Sequence, residues 1–347
     1  MEAPTFALYL TIFLTSLSVS SFLVPILRKI AFRFSIYDFP NQAHKTHQEK
    51  IPYLGGLAIV IPVSILAFLG PFFLVESSDY QIRVILALAP SILLALVGLW
   101  DDINNLSAIS RFIVQSILAI IIVLYLRELG FGVQIFDSWF INLLLSALWL
   151  VGITNAFNFF DNLDGGAAGI TLISALTLAL LAFLDSQYLI SLLSIALAGA
   201  SLGFLHWNRN PALIYLGDSG ALFIGFLLGV SLLQYEPSVQ NHFASALTPI
   251  LILALPIIDT SVVVISRISR GVSVFQGGQD HLSHRLIYLG MSRKRTAFSL
   301  WGLATLFSSL TLVLKYLPGS SQGAVGGLIL LFIMFLVIWF LTIRVKH

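Results

Sequence analysis

The residues best suited to chemistry lie in NAFNFFDNLDGGAAG, positions 155–169. Asn155, Asn158, Asp161 and Asp164 recur every three residues there. Such positions are near neighbours on a helix, so short runs of the series form one polar stripe. Gly165 and Gly166 break the helix and let backbone approach a ligand. A plainer use is an N-cap for the next helix, with Asp164 accepting from its first amides. That explains one aspartate but not the row.

Four other stretches carry related residue types. GLWDDINN sets Asp101 beside Asp102, which point in different directions on a helix. One can face a site while the other is held by backbone or a basic partner; a helix end reaching water is the alternative. NRNPALIYLGDSGALFIGF places Asn208 and Arg209 ahead of Asp218, whose glycine neighbours admit a phosphate or a metal. Here too an N-cap favoured by the helix dipole competes. RISRGVSVFQGGQDHLSHRLIYLGMSRKRT is basic and carries His281, His284 and Arg285. With no cysteine and no third histidine beside them, a closed zinc site is not expected. These residues next to carboxylates read as an anion clamp. A basic loop touching anionic lipid is the alternative, and it suits Arg293, Lys294 and Arg295 best. DFPNQAHKTHQEKIPYLGG holds His44, Lys45, His47 and Lys50, and the same two readings apply. Carboxylates and asparagine amides without thiols describe a magnesium site, because magnesium takes oxygen ligands, usually one or two carboxylates plus substrate phosphates.

The elements that must position these residues are apolar. The chain has 347 residues, 58% hydrophobic and 10% charged, where a soluble domain carries about 25% charge. Apolar runs of about 20 residues recur, the length that spans a bilayer core. Spans are expected at 5–28, 54–75, 83–100, 111–127, 138–156, 167–184, 188–206, 215–234, 245–266, 296–316 and 323–343. This is an all-α polytopic membrane protein of about eleven helices, with one domain covering 1–347. No small-residue cleavage site follows the first run, so a retained helix is expected there rather than a signal peptide. On this map, of the 18 Lys and Arg only Arg83, Arg127 and Lys315 fall on one face. The positive-inside rule makes the other face cytoplasmic, with the N-terminus outside and the C-terminus inside. The loops 29–53, 101–110, 156–166, 207–214 and 267–295 are then cytoplasmic and hold every stretch quoted above. Asp101, Asp102, Asp161, Asp164, Asp218, Asp259 and Asp280 all lie at or near that face. A charge forced into hydrocarbon costs about 2.5–3.5 kcal/mol or more, so their gathering there points to a shared polar site. Nothing suggests nucleic acid as a partner.

Taken together, DD at 101–102, NAFNFFDNLDGGAAG, NRNPALIYLGDSG and DHLSHRL at 280–286 resemble the polyprenyl-phosphate N-acetylhexosamine-1-phosphate transferases, glycosyltransferase family 4, over nearly the whole chain. The HLSHRL ending and the PYLGG entry are most similar to the branch that moves N-acetylglucosamine 1-phosphate from UDP-N-acetylglucosamine to undecaprenyl phosphate. The resemblance implies an enzyme of the inner (plasma) membrane, with its site facing the cytoplasm. Its substrates would be a UDP-N-acetylhexosamine and a polyprenyl phosphate, and its cofactor Mg2+, with Mn2+ as a substitute. UMP would be released and a polyprenyl-diphosphate-linked sugar formed, starting cell-surface glycan synthesis. Asp218 would bind the metal with Asn158 assisting. Asp164 would meet the uracil edge, and Asp101 and Asp102 would face the lipid phosphate. Arg111, His281, His284 and Arg285 would hold the donor phosphates, with Lys45 contributing from the first loop. Asp161 and Asn208 would complete the polar wall. Ser283 stands where many members have a third histidine, and His44 near where many have arginine. The oligomeric state stays open, a homodimer included. Two rivals differ in class. A CDP-alcohol phosphatidyltransferase would need an arginine where Gly169 stands. A cation- or proton-coupled transporter would place its acids near the midplane between repeats.

Overall fold

The computed structural model describes residues 4–38, 50–74 and 78–343. Thirteen α-helices follow one another: α1 Phe6–Arg33, α2 Leu57–Leu74, α3 Ser78–Asn104, α4 Ala108–Glu128, α5 Trp139–Phe160, α6 Gly166–Leu184, α7 Tyr188–Asn208, α8 Gly217–Leu233, α9 His242–Ile252, α10 Ala254–Ser269, α11 Leu282–Tyr288, α12 Arg293–Tyr316 and α13 Gly319–Thr342. The all-α expectation holds except for one ribbon, in which Tyr37 pairs with Pro52 and Asp38 with Ile51. Among the described residues, 8 helices are long and apolar enough to cross a membrane, or up to 9 if the bent pair α9–α10 counts as one. Two shorter apolar helices, Leu54–Leu69 and Gly217–Leu233, add to these. Every expected apolar run but 245–266 falls on one of these helices, and the protein is a polytopic membrane protein.

The helices overrun the apolar runs at the ends that matter. α3 continues to Asn104, so Asp101 and Asp102 sit on its last turn. α5 instead stops at Phe160, which leaves Asp161 as its C-cap.

α8 is the axis of the bundle. All its residues but Asp218 are buried, between α3 on one side and α5 on another. A Cβ at Gly98 would lie 2.5 Å from the backbone of Asp218 and Ser219, so only glycine lets α3 rest on the start of α8. α7 lies between α1 and α6. Buried apolar side chains form one group centred on α8 and a second among α9, α10, α12 and α13, with Trp301 packed against both. Ile113, Ile117, Ile120 and Leu124 of α4 and Leu328, Leu331, Phe335 and Ile338 of α13 face outward, as lipid-facing surfaces do.

The single expected span 245–266 is instead two helices, α9 and α10, bent by 80° at their junction. Pro256 has no N–H to give to Ile252 one turn earlier. The Ile252 carbonyl accepts from the Ser174 hydroxyl at 2.7 Å instead. A freed carbonyl inside an apolar bundle needs such a partner, and the bend brings α10 with Asp259 toward the loop that follows it.

Candidate active site

The polar ends of α3, α4, α5 and α8 meet at one end of the bundle. Gly217, at φ +72°, turns the chain sharply into α8, and a Cβ there would lie 2.7 Å from the Asp102 carboxylate. Asp102 accepts from the Asp218 N–H at 2.8 Å and the Ser219 N–H at 3.2 Å. A carboxylate from α3 thus caps α8, where the first amides lack partners and the helix dipole favours negative charge. The cap expected of Asp218 itself belongs to Asp102. This leaves the Asp218 side chain free for other contacts. One of its oxygens accepts from Asn158 Nδ2 at 2.7 Å. The other meets Arg111 Nη1, which also bonds Asp101. Asp101 is held from its other side by the Leu106 N–H. One guanidinium therefore bridges two of three clustered carboxylates. Side-chain exposures of 21% for Arg111 and 27% for Asp218 leave the cluster open to solvent on one side.

Beside the cluster, the 161–165 loop is knitted to the 209–216 loop. Asn208 Nδ2 donates to the Ile214 carbonyl at 2.9 Å, while its oxygen accepts from the Gly165 N–H at 3.0 Å. Asp164 Oδ2 accepts from Asn210 Nδ2 at 2.7 Å and from the Ala212 N–H at 3.2 Å. Its Oδ1 has no partner among the described residues. No hydrogen bond reaches the Asp161 carboxyl among the described residues either. Burial pushes that carboxyl up to about 7, and the charges of Asp102 and Asp164 add to the shift. The row at 155–164 is thus shared out rather than presented as one stripe. Asn155 faces the buried Gln115 of α4 at 2.6 Å, away from the cluster. Asn158 reaches Asp218, and Asp161 and Asp164 lie past the end of α5. At Gly169 a Cβ would lie 2.1 Å from Trp301, so no arginine fits where a CDP-alcohol phosphatidyltransferase would need one.

The 267–295 loop docks on the end of α5. Ser283 bonds the Asn162 side chain, and the His281 ring meets Phe159 edge-on at 6.2 Å. His281 Nδ1 lies 2.8 Å from Asp259 of α10, and the Leu282 N–H donates to the same carboxylate at 2.7 Å. His284 neighbours His281, with ring centroids 5.7 Å apart. Its Nδ1 is buried without a partner. Burial, then the His281 charge, pull its pKa down to about 4, so it is neutral at pH 7. Asp280 is gripped by Arg267 through two bonds of 2.9 and 2.8 Å and by Arg270 at 2.8 Å. Burial pushes its carboxyl up, but Arg267 and the charge of His281 outweigh this and hold it below its usual range.

Arg285 departs from the role the resemblance implies. Its Nε donates to the Asp280 carbonyl at 2.9 Å and its Nη1 to the Phe340 and Ile343 carbonyls. Its Nη2 reaches Ser266 Oγ at 3.2 Å. It is 3% exposed. A guanidinium spent on carbonyls at the end of α13 is not presented to a phosphate; it ties the loop to the last helix. Lys45, like His44 and His47, lies outside the described residues.

Asp218 and Asn158 are the residues that could hold a magnesium ion. No group of three His, Cys, Asp or Glu forms a closed cage among the described residues. Asp218 beside Asn158 offers one carboxylate and one amide, the sparse set that magnesium completes with water and substrate phosphates.

Asn162 and Arg267 were not among the residues the sequence singled out for the site, and Asp259 and Asp280 were gathered with the inner-face acids without a role. For Asp259 and Asp280 a signal existed, since an acid beside an apolar helix is costly unless partnered. Their partners lie 22 and 13 residues away in the chain, which spacing alone does not reveal.

Residues 83–236 match the family described as glycosyl transferase family 4. Over 309 residues the chain is 34% identical to a probable undecaprenyl-phosphate N-acetylglucosaminyl 1-phosphate transferase of Bacillus subtilis, covering 87% of this chain and 84% of that one. The chain belongs to glycosyl transferase family 4. It is also 31% identical to a decaprenyl-phosphate N-acetylglucosaminephosphotransferase of Mycolicibacterium smegmatis, over 83% of this chain and 77% of that one. A phospho-N-acetylmuramoyl-pentapeptide-transferase of Halalkalibacterium halodurans is 28% identical over 87% of this chain and 95% of its own. These relatives are named as transferases, and the clustered acids sit at helix ends rather than midway along them, so the transporter reading has no support.

Proposed function

We propose that the protein transfers an N-acetylhexosamine 1-phosphate, specifically N-acetylglucosamine 1-phosphate, from its UDP-sugar to a membrane polyprenyl phosphate. UMP leaves, and the polyprenyl-diphosphate-linked sugar starts a cell-surface glycan. The observation that carries this reading is the bridge of Arg111 between Asp101 and Asp218, with Asp102 behind it, at the end of an apolar bundle. The relatives' names support the substrate class.

The chemistry is a meeting of anions. An oxygen of the lipid phosphate attacks the phosphorus that bears the sugar and forms the new P–O bond. The bond from that phosphorus to the bridging oxygen breaks, and its electron pair leaves with UMP. Catalysis of such a transfer is mostly positioning and charge neutralisation. The second pKa of a phosphate monoester is near 6, so the acceptor is largely a dianion at neutral pH. A base among Asp101, Asp102 and Asp161 then adds less than their placing of the acceptor. Asp102 is fixed for this by the α8 amides, and Arg111 supplies positive charge where the two anions approach. Asp218 and Asn158 would hold Mg2+, or Mn2+ in its place; the ion supplies further neutralisation of the diphosphate. Asp164 keeps Oδ1 for the uracil edge while Oδ2 and Asn208 hold the two loops together. His281 and His284 contact the donor phosphates, His284 as a neutral group. Arg285 supports the loop that carries them.

With α9 and α10 counted as one broken span and the two shorter helices included, eleven spans would put the termini on opposite faces, and the lysine and arginine asymmetry then favours the N-terminus outside and the C-terminus in the cytoplasm, in the inner (plasma) membrane. The site then faces the cytoplasm. The test is UMP release by purified protein in bilayers given UDP-N-acetylglucosamine. Release should require polyprenyl phosphate and a divalent cation; release indifferent to the lipid would remove the reading.

A further inference from the structure

Asp259 is an acid with no assigned task. It lies on α10 at 1% exposure, between the buried Ile258 and Val262. An ionised carboxylate there is expensive unless its oxygens are fully used. Both are. Oδ1 takes the Leu282 N–H at 2.7 Å, and Oδ2 lies 2.8 Å from His281 Nδ1. A cap for α11 would need only the first of these contacts. The second fixes a ring. An imidazole whose Nδ1–H is bonded to a carboxylate holds its other nitrogen in one direction, and the carboxylate stabilises the ring when it is charged.

His281 Nε2 has no hydrogen bond among the described residues and is not one of the sealed orphan atoms. The ring stands against Phe159, one residue from Asn158, and Ser283 ties the same turn to Asn162. His284 differs in having its Nδ1 sealed, and Arg285 in spending its guanidinium on carbonyls. His284 also keeps its Nε2 without a hydrogen bond among the described residues, but of these three loop candidates only His281 joins such an atom to a carboxylate bonded behind the ring. With Nδ1–H committed to Asp259, the ring donates from Nε2 to a diphosphate oxygen as the imidazolium, the form that the carboxylate behind it stabilises.

We infer that Asp259 is a positioning residue for the transfer, acting through His281 by fixing its ring so that Nε2 meets the diphosphate of the nucleotide sugar. This rests on the transferase reading above. In Asp259→Asn the amide oxygen can keep the Leu282 N–H, so α11 retains its cap. The amide nitrogen then faces Nδ1 as a donor, which forces the ring proton to Nε2 and removes the counter-charge.

The experiment is a double-mutant cycle of Asp259→Asn and His281→Gln, read as kcat/KM for UDP-N-acetylglucosamine in purified, thermally characterised protein. Asp259→Asn in the wild-type background should cost about 10–100-fold, the range that loss of the carboxylate behind a metal-bound histidine produces. In the His281→Gln background it should cost less than about threefold, because residues acting as a unit are not additive. Equal costs in the two backgrounds would overturn the inference and leave Asp259 as a helix cap. So would wild-type kinetics in Asp259→Asn. Should Asp259→Asn fail to fold, Asp259→Glu takes its place, with its loss expected only while His281 is present. A wild-type protein that releases no UMP would sink the transferase reading itself, whereas an active wild type with an additive cycle sinks only this inference.

Discussion

Replacing Arg285 separates two accounts of the basic loop. In the structure this side chain donates to the carbonyls of Asp280, Phe340 and Ile343. Phe340 O also accepts from the Ile343 N–H, so it keeps a partner when the guanidinium goes. The Asp280 and Ile343 carbonyls have no other partner among the described residues. Each orphaned, buried acceptor costs about 1–3 kcal/mol, so Arg285→Ala should lose about 2–6 kcal/mol of stability. At about 2–4 °C per kcal/mol for a large domain, the midpoint of thermal unfolding in detergent falls by about 10 °C. Arg285→Lys keeps the charge, but one ammonium cannot reproduce the fork across three carbonyls, so about half the loss should remain. Assayed well below the new midpoint, both variants should keep a near-normal KM for the UDP-sugar. An unchanged midpoint with a KM raised tenfold would refute this reasoning and return Arg285 to the donor phosphates.

Asp218→Asn should insert and fold yet lose more than about 10²-fold in turnover, a cost typical of removing one preorganised charge contact; near-normal turnover would move the proposed metal position away from Asp218. Exhaustive chelation should abolish transfer, and Mg2+ or Mn2+ should restore it; full activity without divalent cations would contradict the magnesium reading. His284 has a folded pKa of about 4 against an ordinary 6.5. Unfolding therefore takes up a proton between those values, and stability is lost as pH falls from about 6.5 toward 4. His284→Gln should show a shallower loss in that window, measured by thermal melts across pH, and identical slopes would contradict the burial of a neutral ring.

The spans are legible because the length of an apolar run is read directly from the sequence, and the acids gathered at one face, with the resemblance, bring Asp101, Asp102, Asn158 and Asp218 to one site. Less legible was the division of labour among them. Asp102 and Asp218 both read as helix-end acids, and only the close crossing of α3 over α8 at Gly98 shows that the first caps the helix bearing the second. The three-residue rhythm at 155–164 suggested one stripe, but α5 ends at Phe160 and the row divides there. The run at 245–266 reads as one span, and a sequence does not show that Ser174, far along the chain, takes the carbonyl of Ile252 that Pro256 leaves free. The resemblance sends Arg285 to phosphate, because a sequence does not say that the last turn of α13 arrives beside the loop.

The central claim is that the sugar moves together with its phosphate to a lipid phosphate. UDP-N-acetylglucosamine labelled with 32P in the phosphate next to the sugar, and with 3H in the sugar, tests it directly. Incubated with purified protein, polyprenyl phosphate and Mg2+, both labels should enter the lipid in a 1:1 ratio, as expected when the bond to the bridging oxygen breaks, with one unlabelled UMP released per lipid formed. Tritium entering the lipid while 32P leaves as UDP, or no label entering the lipid from a folded protein, would contradict it.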